Sequence, residues 1–153
     1  MIGFLGEYPV TLDAKGRFLF PAGLKKQLPE GESTHFVINR GIERCLTLYP
    51  MSSWEPLFRR LSALNDFDAS SRQFRRVFLN GATEVEPDSA GRLLVPPGLK
   101  AYAELEKDIV LVSAIDKIEI WSQDNFNKIF ETQSPDDFSD LAQKVMGRTN
   151  EPL

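Results

Sequence analysis

A segment of twenty residues occurs twice in this sequence, 75 positions apart and without a gap. GEYPVTLDAKGRFLFPAGLK at 6–25 aligns with GATEVEPDSAGRLLVPPGLK at 81–100, and ten of the twenty positions are identical. A second match follows at an offset of 72, where LTLY at 46–49 aligns with IEIW at 118–121. Internal repeats of this kind are single supersecondary units that bury a core by packing against each other. The chain is therefore predicted to contain one folding unit made twice.

Each copy predicts a small β-rich unit. In the first copy, β-favouring residues at 8–13 and 17–20 flank Ala14-Lys15-Gly16, which predicts a hairpin with its glycine at positive φ. A short helical turn, a second pair of strands and an amphipathic helix follow, and the second copy repeats this order. The amphipathic helix of the first copy is expected to begin at a capping box formed by Ser52 and Glu55. The predicted fold class is α+β and rich in β-strand.

Two further helices are predicted outside the strict repeat. Residues 70–80 form a helix that bridges the copies, with Arg72, Arg75 and Arg76 on the side opposite its apolar residues. A C-terminal helix begins at Ser134, which is followed by a proline and two aspartates, a strong helix start. This helix is expected to end at Gly147.

The C-terminal helix carries an apolar stripe formed by Phe138, Leu141 and Val145, which is expected to pack against the body of the protein. Residues 148–153 are expected to form a loose tail. The predicted segments are a first repeat at 1–69, a bridging Arg-rich helix at 70–80, a second repeat at 81–133, and a C-terminal helix and tail at 134–153. Because one copy is too small to fold alone, the two are expected to complete each other's core about a pseudo-two-fold axis.

The net charge of −4 argues against a nucleic-acid partner, but the charge is unevenly distributed. Residues 1–76 carry 11 Lys and Arg against 8 Asp and Glu, a net charge of +3. Residues 77–153 carry 7 against 14, a net charge of −7. The first half of the chain is therefore net basic, which the total conceals, although each basic cluster is also explained by a solvated helix face.

Metal and nucleophile chemistry are disfavoured by composition. Cys45 is the only cysteine and His35 the only histidine, so a zinc site or a catalytic pair would have to be assembled around two single residues. No metal site and no cofactor are expected. The sequence has no apolar run long enough for a membrane span and no signal-peptide layout at its start, so no membrane partner and a cytoplasmic location are expected.

The element repeated most faithfully is the turn Asp13-Ala14-Lys15-Gly16-Arg17, which returns as Asp88-Ser89-Ala90-Gly91-Arg92. A structural explanation is available for each conserved type: the aspartate accepts backbone N–H groups, the glycine supplies positive φ, and the arginine pairs with the aspartate. For the arginines this explanation is weaker. A planar bidentate donor presented twice at a hairpin tip suits guanine edges or phosphates better than an exposed ion pair.

These features together resemble the MraZ family over about residues 1–130: the paired Asp-x-x-Gly-Arg hairpins, the LTLYP and IEIW segments and the Arg-rich helix between the copies. The resemblance implies two tandem AbrB-like swapped-hairpin β-α-β units packed as a pseudo-two-fold barrel. It also implies a nucleoid-associated repressor that binds repeated motifs in double-stranded DNA upstream of the division and cell wall gene cluster, including its own gene. The family assembles into ring-like homo-oligomers.

The DNA-contacting Asp-x-x-x-Arg motif of that family falls on Asp13 and Arg17, and again on Asp88 and Arg92. The predicted DNA-binding residues are Asp13, Lys15, Gly16, Arg17, Asp88, Gly91 and Arg92. Lys15 is replaced by Ala90 in the second copy, which predicts weaker phosphate binding there.

Two other classes compete with a DNA-binding regulator. An antitoxin-like interaction module would use the C-terminal helix to bind another protein. An aspartic-type hydrolase would use Asp13 and Asp88 as a carboxylate dyad, but both copies lack the Asp-Thr/Ser-Gly tripeptide, and an arginine four residues after each aspartate would lower the pKa needed for proton sharing. The protein is therefore not expected to be an enzyme.

Overall fold

The computed structural model describes residues 3–147, an α+β arrangement in which strands and helices alternate along the chain. Its strands are β1 (Glu7–Thr11), β2 (Arg17–Leu19), β3 (Phe36–Arg40), β4 (Leu46–Pro50), β5 (Thr83–Val85), β6 (Arg92–Leu94), β7 (Asp108–Ala114) and β8 (Lys117–Ser122). Its helices are α1 (Ala22–Lys25), α2 (Met51–Ser62), α3 (Ala69–Phe78), α4 (Pro97–Tyr102), α5 (Gln123–Glu131) and α6 (Pro135–Met146). The predicted β-rich α+β class is confirmed.

The strands form two antiparallel sheets that follow a pseudo-two-fold axis. The larger has the order β1-β7-β8-β4-β3-β5, and the smaller is the pair β2-β6. Exchanging each strand for its counterpart in the other copy, β1 for β5 and so on to β4 for β8, reproduces both sheets. The axis therefore passes between β4 and β8 and between β2 and β6, so the two copies complete one another as expected.

The predicted local hairpin is wrong in its pairing. Strands β1 and β2 lie on either side of the turn at 13–17, but β1 pairs with β7 and β2 pairs with β6, both from the other copy. The turn itself closes through the Asp13 N–H, which donates to the Arg17 carbonyl at 2.8 Å. This swap, implied by the family resemblance, buries more apolar surface than a two-stranded hairpin can.

The main core lies between the small sheet and the large one. Phe18 and Leu93 are each 1 % exposed and point inward from β2 and β6. They pack in one cluster with buried side chains from both copies, including Phe36, Leu48 and Ile120. Because period-2 alternation sends every second residue of β2 and β6 into this core, the residues between them must face outward.

Helices α2 and α3 pack on one side of the large sheet. Trp54 of α2 lies 5.2 Å from the Tyr49 ring, centroid to centroid, and the Nδ2 of buried Asn39 donates to the Phe78 carbonyl at 2.8 Å. The capping box predicted at Ser52 is wrong. Helix α2 begins at Met51 after Pro50 and has no side-chain cap, and the Ser52 hydroxyl donates to Glu32 instead.

Helix α6 begins as predicted, with a capping box between Ser134 and Asp137, and its C-cap is Gly147. The expected burial of its apolar stripe is wrong, because Phe138, Leu141 and Val145 are 64 %, 51 % and 48 % exposed. Contacts divide the chain into two compact units, 1–123 and 124–153, so α6 belongs to the second. The tail predicted at 148–153 lies outside the described residues. Within residues 3–147, no helix is both long and apolar enough to cross a bilayer.

Candidate nucleic-acid interface

The first Asp-x-x-Gly-Arg turn is a closed hydrogen-bonding unit around the Asp13 carboxylate. Its Oδ1 accepts the backbone N–H groups of Lys15 and Arg17, both at 2.9 Å, and its Oδ2 accepts Nε–H of Arg17 at 3.0 Å. Gly16 has φ of +81°, a conformation that favours glycine. The aspartate therefore accepts backbone N–H groups and the glycine supplies the positive φ, so both stabilise the turn itself.

The second turn reproduces the first bond for bond. Oδ1 of Asp88 accepts the N–H groups of Ala90 and Arg92, and Oδ2 accepts Nε–H of Arg92, all at 2.9 Å. Gly91 has φ of +82°. In both turns the N–H groups donated to the carboxylate hold its pKa below the ordinary aspartate value, the backbone N–H of the arginine contributing most.

Each arginine is positioned by its aspartate but keeps most of its donors. Only Nε is used in the ion pairs Arg17–Asp13 and Arg92–Asp88, whose side chains are partly exposed. Among residues 3–147, neither Nη atom of Arg17 or Arg92 has a hydrogen-bond partner. Each guanidinium therefore offers a fixed fork of four N–H donors to an external acceptor.

The two arginines lie on one face of the β2–β6 ribbon. Arg17 pairs with Leu94 and Leu19 pairs with Arg92 across the ribbon, while Phe18 and Leu93 point into the core. Diagonal neighbours in such a pair have Cα atoms about 7–8 Å apart, so both guanidinium groups serve a single surface. The arginines are thus not at the tips of separate hairpins, as the sequence suggested, but on a ribbon that both copies build.

Sequence reasoning missed two members of this surface. Leu19 and Leu94 are 60 % and 50 % exposed on the ribbon's outer face, each directly opposite one of the arginines. Both occupy equivalent positions of the repeat and are identical there, but as leucines they were assigned to no binding role. Their alternation with Phe18 and Leu93 is the signal that could have placed them outside.

The other basic residues singled out in the sequence lie on the first turn and on helix α3. Lys15 and Ala90 are exposed at their turns. Two arginines of helix α3 bind the loop that precedes the helix. Arg72 donates to the Asp66 carbonyl at 2.8 Å, and Arg75 pairs with the Asp66 carboxylate. Arg76 contacts Gln73 at 3.2 Å.

The arrangement does not suit the catalytic alternatives. Each aspartate is paired with its own arginine and its pKa is lowered, whereas a proton-sharing dyad needs one pKa raised. Burial raises the pKa of the Cys45 thiol to about 12, so it is protonated at neutral pH and is a poor nucleophile. Residues 3–147 contain no group of three or more side chains arranged to hold a metal ion.

Fold and ribbon together define the class of this protein: two tandem swapped-hairpin units share one core and present a common outer ribbon. The family model described as "MraZ protein, putative antitoxin-like" matches the chain twice, over residues 3–77 and 78–149. The chain belongs to the MraZ family.

Three relatives, each named transcriptional regulator MraZ, match almost the whole chain. The protein of Christiangramia forsetii is 46 % identical, over 96 % of this chain and 95 % of its own. That of Cytophaga hutchinsonii is 43 % identical, over 95 % and 96 %. That of Heliobacterium modesticaldum is 40 % identical, over 94 % and 96 %. The predictions of a family of transcription regulators, and of a regulator rather than an enzyme, are confirmed by these names.

Proposed function

We propose that this chain is a sequence-specific DNA-binding repressor that reads base edges with the outer face of the β2–β6 ribbon. The observation that carries the proposal is the pair of aspartate-fixed guanidinium groups on that face. A two-stranded ribbon fits the major groove of B-DNA, where arginine recognises guanine through O6 and N7. Leu94 and Leu19 lie directly across the ribbon from Arg17 and Arg92 and add apolar contacts of the kind that read thymine methyl groups.

The target follows from the family resemblance: double-stranded DNA upstream of the division and cell wall gene cluster, where repeated motifs are bound. The predicted site residues divide in role. Arg17 and Arg92 contact DNA, Lys15 contacts phosphate, and Asp13, Asp88, Gly16 and Gly91 hold the turns in the geometry that presents them.

Binding to DNA upstream of its own gene tests the proposal. The wild-type protein should bind this duplex more tightly than an unrelated duplex of equal length in a gel-shift titration. Arg17→Ala should weaken the specific complex by about 1–3 kcal/mol, because it removes a bidentate donor. Its folding should barely change, because a partly exposed ion pair contributes little to stability. A folded Arg17→Ala protein with unaltered operator affinity would contradict the assignment.

We further propose that the protein acts as a homo-oligomer. Exposed apolar side chains recur on the helices beside the large sheet: Phe58 of α2, and Phe74 and Val77 of α3. Phe74 stacks on Phe78 at 5.6 Å, so the patch is continuous with a group that packs on the sheet. Apolar surface of this kind marks a protein interface, and a second copy of this chain is the occupant that suits a regulator binding repeated sites.

Binding of a partner protein is the second candidate function, and it is favoured by the exposure of the apolar side chains of helix α6. Its exposed Phe138, Leu141 and Val145 form one stripe, a typical docking face for a partner protein. Deleting the chain from Ser134 onward should then abolish partner capture and spare DNA binding. Loss of DNA binding in the truncated protein would instead assign α6 to the regulator itself.

A further inference from the structure

A cleft lies beside the first Asp-x-x-Gly-Arg turn and joins the two copies of the repeat. It is about 430 Å³ in volume, and the first copy lines it with residues 11–14. The second copy lines it with Lys100 of α4 and with Glu106 and Lys107, which precede β7. Two lysines from one repeat therefore stand beside the turn of the other.

The backbone carrying these lysines is anchored. The N–H of Leu12 donates to the carbonyl of Lys107 at 2.8 Å, which ties the second copy directly to the first turn. Leu105, two residues earlier, is buried, and its N–H donates to the Lys100 carbonyl at 3.0 Å. The two ammonium groups thus extend from fixed points, and the cost of ordering them on an anion is reduced.

The same positions around the second turn are less basic. Val10 lies opposite Ile109 as its counterpart Val85 lies opposite Phe36, and in this register Lys107 corresponds to Thr34. Thr11 corresponds to Glu86, and Lys15 to Ala90. Of the basic cleft residues only Lys100 has a basic counterpart, Lys25. Apart from the aspartates of the turns, the first cleft carries two lysines and one glutamate, whereas the equivalent positions carry one lysine and one glutamate.

A pair of glutamates bound to His35 adds to the difference in charge between the two turns. The Nε2 of His35 lies 2.8 Å from the Glu84 carboxylate, and its Nδ1 lies 3.5 Å from that of Glu86. Both glutamates lie in the segment that leads into the turn at Asp88, and both are largely exposed. A phosphate near the second turn would therefore meet negative charge, whereas one near the first turn would meet lysines.

We propose that the cleft of Lys100 and Lys107 is a phosphodiester subsite for the DNA backbone, which together with Lys15 anchors the first turn and has no counterpart at the second. The subsite rests on the proposed DNA-binding function and deepens it: the ribbon reads the groove, and the cleft grips the strand beside it. Backbone contacts fix register and carry no sequence information, so this subsite acts on any duplex.

Salt dependence of DNA binding tests the subsite. The double variant Lys100→Ala/Lys107→Ala should bind both the operator and an unrelated duplex with a log–log salt slope shallower by about 1 to 2, since each lost phosphate contact removes about 0.9. The matched control is Lys25→Ala/Lys26→Ala, which removes the same charge from the last residue and the C-cap of α1, the counterpart of α4. Its slope should stay within about 0.5 of the wild-type slope.

A backbone scan identifies the linkage. Replacing single phosphates of the operator by neutral methylphosphonates should reveal a position that weakens wild-type binding but leaves the double variant unaffected. Addition of free inorganic phosphate at the same ionic strength should not compete with the duplex, because the subsite is part of an extended contact. Competition by phosphate would reassign the cleft to a free anion and overturn the proposal.

The outcomes separate the subsite from the proposed function. Equal losses of slope in both double variants would show general attraction to net charge, and unchanged slopes in both would show no contact; either result overturns the subsite. A wild-type protein that binds operator and unrelated duplex equally, with the slope still reduced in Lys100→Ala/Lys107→Ala, would refute sequence-specific recognition and retain the subsite. Absence of binding to any duplex refutes both.

Discussion

In Asp13 and Asp88, both carboxylate oxygens are engaged: one binds the backbone of the turn and the other binds the arginine. Because the carboxylate accepts two backbone N–H groups and one Nε–H, it fixes both the path of the turn and the plane of the guanidinium. A lysine at position 17 would be a single ammonium on a flexible stem and could not keep this bond while offering a fork. The Asp-x-x-x-Arg spacing is therefore a structural motif that also suits the recognition role proposed for the arginine.

The lowered carboxyl pKa gives a residue-scale prediction. Since the backbone N–H of residue 17 is the largest cause, Arg17→Ala should raise the pKa of Asp13 only part of the way back to about 3.9, the ordinary value. A carboxyl-carbon NMR titration of wild type and variant measures this directly. The untouched Asp88 serves as the internal control. A complete return of the Asp13 pKa to the ordinary value would show that the guanidinium, and not the backbone, stabilises the carboxylate.

The same shift sets the acid limit of the turns. A folded-state pKa below the unfolded one means that the turn contributes its full stabilisation above about pH 4, and that this contribution is lost as pH falls through the lowered value. Near neutral pH, neither aspartate changes charge.

At the scale of elements, the ribbon is the feature that neither repeat can make alone. Its two strands come from different copies, and its inner face is sealed by Phe18 and Leu93. Its outer face carries an arginine and a leucine from each copy in a two-fold pattern. Duplication thus builds this surface by strand exchange, with a core residue directly beside each outward-facing arginine and leucine.

Adjacent leucines on β6 give a matched pair of variants. Leu94→Ala should leave the free energy of unfolding within about 0.5 kcal/mol of wild type, because this side chain is half exposed, and should weaken operator binding. Leu93→Ala should cost about 2–5 kcal/mol of stability, because it leaves a cavity in the core. Chemical unfolding and gel-shift titration measure the two effects. Operator affinity that survives Leu94→Ala unchanged would remove the leucines from the interface.

The sequence predicted the strands and turns of both copies but not which strands pair. Alternation in β2 shows which residues face inward, yet a turn closed by Asp13 and Gly16 has the same local pattern whether its strands pair together or with another unit. Only the family resemblance implied the exchange. Likewise, the apolar stripe of α6 predicted a packed face, but spacing alone does not distinguish the protein's own body from an external surface.

The predicted site residues could be singled out in the sequence because they repeat. Asp13 and Arg17 recur at an offset of 75 with their glycine, which led to the prediction of a common role. The lysines of the cleft were not predicted, because Lys107 corresponds to Thr34 in the first copy and reaches the turn only through the hydrogen bond of its carbonyl with the Leu12 N–H. Asymmetric features of a duplicated protein therefore need the structure to reveal them.

At the scale of the whole molecule, we expect one chain to bind DNA only weakly. It carries a net charge of −4, two ribbon arginines and one lysine-bearing turn. Several copies that each place a ribbon on a successive operator motif would gain avidity of about 10²-fold or more when the spacing matches. The exposed apolar patch on α2 and α3, formed by Phe58, Phe74 and Val77, is the surface that we expect to join the copies.

Charge placed in that patch tests both the assembly and its role. Phe74→Glu/Val77→Glu should lower the molecular mass measured by sedimentation equilibrium, because a carboxylate cannot be buried unpaired in an apolar contact. It should also abolish the gain in affinity that wild type shows from one to three operator motifs, while binding to a single motif persists. Ile42→Glu, at an exposed apolar position in the turn between β3 and β4, is the control and should change neither property.

The spacing of the motifs supplies the independent geometric arm of this prediction. An assembly that holds its ribbons on one side of the duplex requires motifs about one helical turn apart, so inserting half a turn between them should return the affinity of wild type to that for a single motif. Inserting a full turn should restore part of the loss. If one motif binds as tightly as three, or if the half-turn insertion has no effect, one chain carries recognition alone and the apolar patch serves another purpose.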